Sequence, residues 1–473
     1  MNQNTAMITF AGGIKIIVPD SLNLITPYVL LEQGDWFEDE IKFVRKCIQP
    51  GDFVVDVGAN FGVFALSMAK IIGSAGRLWA FEPASTTARL LKQSIEANEF
   101  NNIHLEQSAL SNHRGTARLG LNIHSELNAI VSDPILSGDT EEVQLFTLDQ
   151  CAELHAWENI SFVKIDAEGE EAHIIEGGRL FFENQSPLVQ YEVKAGAEIH
   201  LDLVDAFQCI GYESYRLVPG LGLLVPFDKA EAADGFLLNL FCCKKDRAAL
   251  LAQRGLLVDR SSLSDRHAIK ARVANATNAP DIHWRQTLGS LPYGSMLMDE
   301  WNKERSTQRD QFLDEALACY ALSRDAAISA SERYVSLESA FGIFRRLCSE
   351  PHAGLRLASL ARVAREFGAR SVAAAALAQL SSRILSTLTI DTSEAFLMPE
   401  PRFDKVLPGK SLGNMITAGI LEAYEKTGAF SSFYTGESAR QRLVLIRDLG
   451  FGDAEMNGRL ALLEQRFGAG PIV

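Results

Sequence analysis

The pattern of apolar and polar residues changes character about halfway along the chain. In residues 1–250, short apolar runs rich in β-branched residues alternate with segments whose apolar residues recur every three to four positions. The runs predict buried parallel strands, and the periodic segments predict helices that cover them. After residue 250, amphipathic segments follow one another without strand signals. The chain therefore divides into an α/β domain and an all-α region.

The first half contains enough strand signals for a doubly wound sheet. A lead-in of residues 1–50 precedes it, with a hairpin about Gly12-Gly13 and a lid helix at 35–47. Residues 32–38 lie near the expected ligand end of the sheet, although a lid with a polar outer face explains them as well. An extra hairpin is predicted from 114–122 and 142–146. Seven strands are predicted for the sheet, at residues 53–57, 77–81, 103–107, 162–166, 188–193, 213–217 and 236–244.

The second half predicts helices in three blocks. Residues 251–310 mix helix signals with polar loops and are interpreted as a connector. Residues 311–390 form a helical hairpin region in which one unit resembles a tetratricopeptide hairpin. Residues 391–473 form a C-terminal helical region that follows a proline-rich break. The helices are predicted at residues 331–348, 355–367, 371–388, 412–426, 438–449 and 453–467.

A glycine turn follows the first predicted strand of the sheet. The stretch 52–62 runs Asp-x-x-x-Asp-x-Gly-x-x-x-Gly, where Asp56 ends the strand and Gly58 and Gly62 allow a sharp turn. Neither the Gly-x-Gly-x-x-Gly fingerprint nor a phosphate-binding loop occurs. Glu82 ends the next strand, where a carboxylate can bind a ribose diol. A ribose contact without a phosphate site favours S-adenosylmethionine over NAD or ATP; an ordinary α/β turn with an acidic cap is the alternative.

Three further carboxylates follow later strands of the sheet. Asp166 and Glu168 follow the fourth strand, and Glu192 ends the fifth. A carboxylate placed there can accept a proton from an attacking hydroxyl, so these three residues are the predicted catalytic set. Asp166 and Glu192 could instead bind Mg²⁺, which prefers oxygen ligands. No metal ligand is assigned. The Asn-Pro-Pro-Tyr motif of many amine-methylating enzymes is absent.

Several short motifs follow one another along the first half of the chain. They are Pro50-Gly51-Asp52, Asp56-Val57-Gly58-Ala59-Asn60-Phe61-Gly62, Phe81-Glu82-Pro83, Ala109-Leu110-Ser111, Thr147-Leu148-Asp149 and Lys164-Ile165-Asp166-Ala167-Glu168-Gly169.

In order and spacing, these motifs resemble the FkbM family of class I, S-adenosylmethionine-dependent methyltransferases, across residues 24–243. The resemblance implies a Rossmann-like, seven-stranded methyltransferase sheet and, usually, O-methylation of a sugar or related hydroxyl. It places the adenine ring beside Ser108 and Ala109. The cofactor-binding residues it implies are Asp56, Gly58, Ala59, Asn60, Gly62, Glu82, Ser108 and Ala109.

Charge and composition narrow the substrate and the compartment. Residues 1–250 hold 18 Lys and Arg against 35 Asp and Glu, whereas residues 251–473 hold 27 against 25. A catalytic half with this net charge would repel a phosphate backbone, so a nucleic-acid substrate is disfavoured. The seven cysteines form neither a zinc-site pattern nor a disulfide framework. No signal peptide or membrane-spanning run is found, and a cytoplasmic, reduced protein is expected.

The predicted function is S-adenosylmethionine-dependent O-methylation of a hydroxyl on a glycan or related small molecule, with a carboxylate as general base. The alternative is a methyltransferase fold that serves as a binding or scaffold module. In that alternative the helical half contacts a protein partner or a second copy of the chain. Residues 251–473 contain no catalytic motif.

Overall fold

A computed structural model describes most of the chain and divides it into two compact units. The first unit comprises residues 1–217, 224–233 and 237–257, and the second comprises 218–223, 234–236 and 258–473. The described residues are 4–130, 139–195, 198–277, 284–303, 308–349, 353–387, 390–409 and 411–468.

The first unit is organised around an eight-stranded sheet. Its strands are β1 Phe53–Val57, β2 Arg77–Phe81, β3 Ile103–Glu106, β4 Ile160–Ile165, β5 Leu188–Glu192, β6 Glu213–Val218, β7 Leu223–Pro226 and β8 Asn239–Cys243. They lie in the order β7-β6-β8-β5-β4-β1-β2-β3. The five strands β3-β2-β1-β4-β5 are parallel and follow the order of a doubly wound Rossmann sheet, while β8 is antiparallel to both β5 and β6.

Alternate residues of the central strands supply two separate cores. Val54 and Phe162 are buried on one face of the sheet, and Val55 and Val163 are buried on the other. Both faces are covered, so the central strands are mostly apolar on both faces; Asp56 in β1 and Lys164 in β4 are buried exceptions. The helices of this unit are Ile25–Gln33, Asp39–Cys47, Val63–Ile72, Ser85–Ala97, Leu148–Leu154, Glu171–Gly177, Arg179–Asn184, Asp202–Cys209 and Lys245–Gln253, with a 3₁₀ turn at Ser125–Leu127.

Three small sheets accompany the large one, and two of them contain the predicted hairpins. The lead-in hairpin turns at Gly12-Gly13, and the extra hairpin pairs Gly115–Gly120 with Thr140–Phe146 in antiparallel register. Both hairpin predictions are confirmed. The strands of the three sheets are Thr5–Phe10 with Ile14–Pro19; Ala109–Leu110, Gly115–Gly120, Ala129–Ile130 and Thr140–Phe146; and Lys194–Ala195 with Glu198–Ile199.

From residue 258 onward, the described residues of the second unit form helices joined by loops and turns. Helix Arg356–Phe367 ends at Gly368, whose left-handed backbone (φ 94°) caps it as the sequence predicts. The predicted fold class, an α/β methyltransferase-type sheet followed by an all-α region, is confirmed. Residues 251–310, predicted as a connector, contain three of the helices. The helices are Arg266–Thr277, Trp284–Gly289, Pro292–Trp301, Gln308–Ser323, Ala330–Leu347, Arg356–Phe367, Arg370–Thr387, Leu412–Gly428, Ser432–Thr435, Arg440–Asp448 and Ala454–Phe467, with 3₁₀ turns at Pro401–Lys405 and Gly436–Ala439.

Among the described residues, none of these helices is long and apolar enough to cross a bilayer.

Candidate active site

The large sheet reverses its winding between β1 and β4, and the predicted site residues gather there. From β1 the chain proceeds to β2 and β3 on one side, and from β4 it proceeds to β5 on the other. Ligands of open α/β sheets bind outside the carboxyl ends of the strands at such a switch point. The backbone amide of Asp166, just after β4, donates to the carbonyl of Val57 at the end of β1, 3.1 Å away. The two loops are therefore held together.

The turn after β1 depends on glycine at two positions. A Cβ atom on Gly58 (φ 78°) would lie 1.7 Å from the carbonyl oxygen of Asp166, and one on Gly62 (φ 96°) would lie 2.4 Å from Leu91. Asn60 also has a positive φ, 49°. The amides of Gly58 and Ala59 both donate to the carbonyl of Phe81 on β2, at 3.0 and 2.9 Å. The turn thus lies close to the ends of both neighbouring strands.

Glu82 joins this turn to the one that follows β2. Its carboxylate accepts from the backbone amides of Asn60 and Ala84, each at 2.9 Å, while the side chain is buried. Burial raises the pKa of Glu82 to about 7, although the two amides oppose the shift. Each carboxylate oxygen has a second lone pair, so Glu82 can still accept from the hydroxyls of a ribose.

Two buried polar groups near the turn are poorly hydrogen-bonded. Among the described residues, the carboxylate oxygens of Asp56 and the hydroxyl of Ser108 form no hydrogen bond of normal geometry, although the backbone amide of Ala65 lies close enough to Asp56 to lower its pKa. Burial raises the pKa of Asp56 to about 6, although Lys164 opposes the shift. Ala109 is half-buried in the short strand next to Ser108. Buried polar atoms without partners are rare in proteins, so their presence here marks a place where a polar ligand fits.

The three predicted catalytic carboxylates lie together. Oxygen atoms of Asp166, Glu168 and Glu192 lie within 4.8 Å of one another. Asp166 also accepts from the ammonium of Lys164 at 2.7 Å. Burial, then the charge of Asp166, raises the pKa of Glu168 to about 8. The same two causes, with Glu168 as a further negative neighbour, hold the pKa of Glu192 far above its usual range.

The glycine turn, Glu82 and the carboxylate cluster all fall within one stretch that matches a known domain family. Residues 56–214 match the methyltransferase FkbM domain. The predicted family is thus confirmed over about a third of the chain. No curated protein matches the chain.

Solved methyltransferase structures show only distant similarity. The FkbM methyltransferase of Methylobacillus flagellatus KT is 14% identical over 43% of this chain and 50% of its own, with a TM-score of 0.28. A SAM-dependent O-methyltransferase of Thermotoga maritima is 14% identical over 50% and 77%, with a TM-score of 0.25. Aeropyrum pernix fibrillarin, with natively bound S-adenosyl-L-methionine, is 13% identical over 51% and 82%, with a TM-score of 0.26. At these TM-scores they carry no argument about this site.

The FkbM domain contains two site residues to which the sequence assigned no role. Lys164 is buried two positions before Asp166, and therefore on the same side of β4. Burial would lower the pKa of Lys164, but the charges of Asp166, Asp56 and Glu38 together raise it above its ordinary value. Glu171 accepts from the amides of Ala167 and Gly169, at 2.8 and 3.1 Å, and so shapes the loop that carries Glu168. The sequence could have predicted Lys164 at the site, because residues two positions apart in a strand lie on the same side, and Lys164 is two positions before Asp166.

The lead-in also supplies a residue to this cluster. Glu38 accepts from the indole of Trp36 at 2.8 Å and from the amide of Asn239 on β8 at 2.9 Å. Burial, then the negative charge of Asp166, raises the pKa of Glu38. The sequence predicted that residues 32–38 lie near the ligand end of the sheet. Within this segment, Glu38 lies close enough to the carboxylate cluster to interact with Asp166.

Proposed function

We propose that the chain is an S-adenosylmethionine-dependent O-methyltransferase that acts on a hydroxyl of a glycan or related small molecule. One observation carries the proposal. Three carboxylates, two of them with raised pKa values, meet at the switch point of the sheet, beside a glycine turn that Glu82 braces. The match of residues 56–214 to the FkbM domain supports the same reaction class.

The residues present fit the proposed cofactor. Gly58 and Gly62 place no side chain against a ligand at the turn, Glu82 offers free lone pairs to a ribose, and the hydroxyl of Ser108 is buried without a hydrogen-bond partner among the described residues. Asp56, Ala59, Asn60 and Ala109 line the same turns. S-adenosylmethionine would supply a methyl group on a positively charged sulfur.

The carboxylate cluster provides groups in different protonation states. Asp166 is paired with Lys164 and holds that side of the cluster in place. Glu192, whose pKa lies far above its usual range, shares a hydrogen bond with Asp166. Glu168 has a pKa of about 8, so part of it is ionised near neutral pH, and we assign this ionised form to accept the proton of the acceptor hydroxyl. The cofactor, held at the glycine turn and Glu82, would supply the methyl carbon, which would bond to the acceptor oxygen as its bond to sulfur breaks.

The acceptor is proposed to be a hydroxyl for two reasons. The motif that many amine-methylating enzymes carry after the fourth strand is absent, and Asp166-Ala167-Glu168-Gly169 follows the strand instead. An oxygen nucleophile must lose a proton as it attacks, and this cluster supplies a base within reach of a bound hydroxyl. Residues 1–250 have a balance of 18 basic against 35 acidic residues, which favours a neutral acceptor over a polyanion.

Calorimetric titration of S-adenosylmethionine into the full-length chain tests the cofactor. Wild-type protein should bind, and Glu82→Ala should weaken binding at least tenfold, about 1.4 kcal/mol. Glu141→Gln is the matched control, because Glu141 accepts from the Ser85 amide (3.1 Å) next to the same turn without bracing it. No binding to folded wild-type protein would contradict the proposal and favour the binding-module alternative.

Methyl transfer to a panel of sugars and other polyols then tests the acceptor and the base. Glu168→Gln should lower turnover at least 100-fold on any acceptor that the wild type methylates, because general-base catalysis typically contributes that much. Full turnover by Glu168→Gln would remove it from the mechanism. Methylation of amines but not of hydroxyls would overturn the proposed acceptor class.

A further inference from the structure

A second group of possible metal ligands lies on and beside β3, the edge strand that is separated from β1 by β2. Within β3, Nε2 of His104 lies 2.9 Å from Oε1 of Glu106. Nε2 of His155, just after helix Leu148–Leu154, lies 3.0 Å from the same oxygen. The three atoms lie within 4.8 Å of one another. None of these residues takes part in the proposed methyl transfer.

The local fold fixes these side chains in place. His104 and Glu106 are two residues apart in a strand and so point to the same side. The ring of His155 stacks on Trp157 with centroids 5.9 Å apart and an interplanar angle of 21°, and it lies 6.2 Å from Trp79. Both tryptophans are buried. The position of the imidazole is therefore set by its packing, independently of Glu106.

The environment of Nε2 on His155 also favours a bound ligand. Its Nε2 atom is buried and forms no hydrogen bond of normal geometry within the described residues, although a carboxylate oxygen lies only 3.0 Å away. A nitrogen that lies beside a carboxylate oxygen without forming a normal hydrogen bond to it is well placed for both atoms to bind one metal ion. His104 is about half exposed, which leaves a path for that partner from solvent.

We propose that His104, Glu106 and His155 form a Zn²⁺ site in which water completes the coordination. Two imidazoles and one carboxylate with an open position are a set that zinc uses, whereas Mg²⁺ prefers oxygen ligands alone. Bond lengths of about 2.0–2.1 Å place neighbouring ligand atoms of a tetrahedral site about 3.3 Å apart. The separations of 2.9 and 3.0 Å need to widen by only a few tenths of an ångström.

The metal would connect β3 to the residue that follows helix Leu148–Leu154. The backbone carbonyl of Glu106 accepts from the amide of Glu82 at 3.1 Å. Fixing Glu106 therefore also steadies the start of the turn at Glu82. This role is structural, and metal binding does not depend on the proposed methyltransferase reaction, so the two proposals fail separately.

The test is calorimetric titration of Zn²⁺ into chelator-treated, full-length protein without cofactor. One equivalent should bind with a micromolar or lower Kd. Glu106→Gln, which keeps the size of the side chain, and His155→Gln should each weaken binding at least tenfold. His113→Ala, an exposed histidine outside the group, should change it less than twofold. Equal binding by Glu106→Gln and the wild type would overturn the proposal, as would loss of binding in Asp166→Asn instead.

A measurement on wild-type protein guards against variants that do not fold. Zn²⁺ should protect His104 and His155, but not His113, from diethyl pyrocarbonate, as read by peptide mass spectrometry. Co²⁺ should give the visible absorption of a four-coordinate site without a thiolate charge-transfer band. Uniform labelling of all three histidines in the presence of Zn²⁺, or a thiolate band, would place the metal elsewhere and overturn the proposal.

Discussion

At Gly58 the turn after β1 runs so close to the loop after β4 that no side chain fits between them. Gly58→Ala would place Cβ 1.7 Å from the backbone oxygen of Asp166, and the positive φ adds strain. Backbone cannot move aside as a flexible side chain can. We expect Gly58→Ala to separate the two loops, to destabilise the protein by several kcal/mol and to remove S-adenosylmethionine binding, as measured by thermal unfolding and calorimetry.

Gly51→Ala provides a matched control for that prediction. Gly51 has a similar φ of 89°, but a Cβ atom there would meet nothing within 4 Å. It should cost only the conformational strain, about 1–2 kcal/mol, and leave cofactor binding intact. If Gly58→Ala and Gly51→Ala lower the free energy of unfolding by the same amount, the close approach of Gly58 to the backbone of Asp166 adds no cost beyond the conformational strain.

The raised pKa of Glu168 predicts a dependence of stability on pH. Glu168 keeps its proton up to about pH 8 in the folded protein, whereas an unfolded glutamate loses it near pH 4.5. Between these values the folded state binds more protons, so this residue lowers stability as the pH rises. Glu168→Gln should therefore gain in melting temperature relative to wild type at pH 8.5 compared with pH 5. A difference that does not change with pH would show that the side chain is ionised in the folded protein.

The sequence predicted that three carboxylates would come together, but not how their pKa values differ. Asp166, Glu168 and Glu192 follow or end neighbouring parallel strands, so the sheet alone brings them together. The raised pKa of Glu192 arises from burial and from its neighbours, and neither is visible in the sequence. Glu38 and Asn239 lie about 200 residues apart in sequence and meet only through tertiary packing. The three ligands of the proposed zinc site are hidden in the same way, since His155 lies 49 residues beyond Glu106.

At the scale of elements, prediction succeeded where local signals agree. The helix predicted at 355–367 is found at Arg356–Phe367, because Gly368 ends it with a positive φ. Helix Ile25–Gln33 was missed: it is buried on most sides and has Pro27 in its first turn, so it shows no amphipathic period. Strand β7 was missed as well, because its four residues closely follow a glycine-rich segment that predicts a loop.

An ion pair fixes the approach to helix Asp39–Cys47, which follows Glu38. Arg45 donates to both carboxylate oxygens of Asp35, at 2.6 and 2.8 Å, and to the hydroxyl of Ser67 on helix Val63–Ile72 at 3.0 Å. Asp35→Ala leaves a largely buried guanidinium without its carboxylate, which should cost about 1–3 kcal/mol. Urea unfolding measures this cost.

Lys42→Ala, on the same helix, is the control for the lead-in. Lys42 pairs with Asp39 at 3.3 Å, but its side chain is 61% exposed, so the pair should contribute at most about 0.5 kcal/mol. Equal losses for Asp35→Ala and Lys42→Ala would mean that burial of the Arg45 pair adds nothing. In that case the lead-in is held by its apolar contacts alone.

At the scale of the whole molecule, each unit has its own set of buried contacts. The first unit has two apolar cores, one on each face of its sheet. The second unit contains a fully buried carboxylate, Glu422, which accepts from Arg402 at 2.7 Å and from Lys426 at 3.0 Å. Removing one partner from a buried ionic network leaves uncompensated charge and typically costs about 3–5 kcal/mol. The second unit is therefore sensitive to single charge changes.

Because each unit has its own compact set of contacts, we expect scanning calorimetry of the full chain to resolve two contributions. Glu422→Gln should lower only the contribution of the second unit, whereas Glu437→Gln, at a side chain that is 60% exposed, should change neither. S-adenosylmethionine at 100 times its Kd should raise only the contribution of the first unit, by about 2.7 kcal/mol. If the ligand and Glu422→Gln shift one common transition, the units unfold together, and a substitution in the helical half would then also affect the cofactor site.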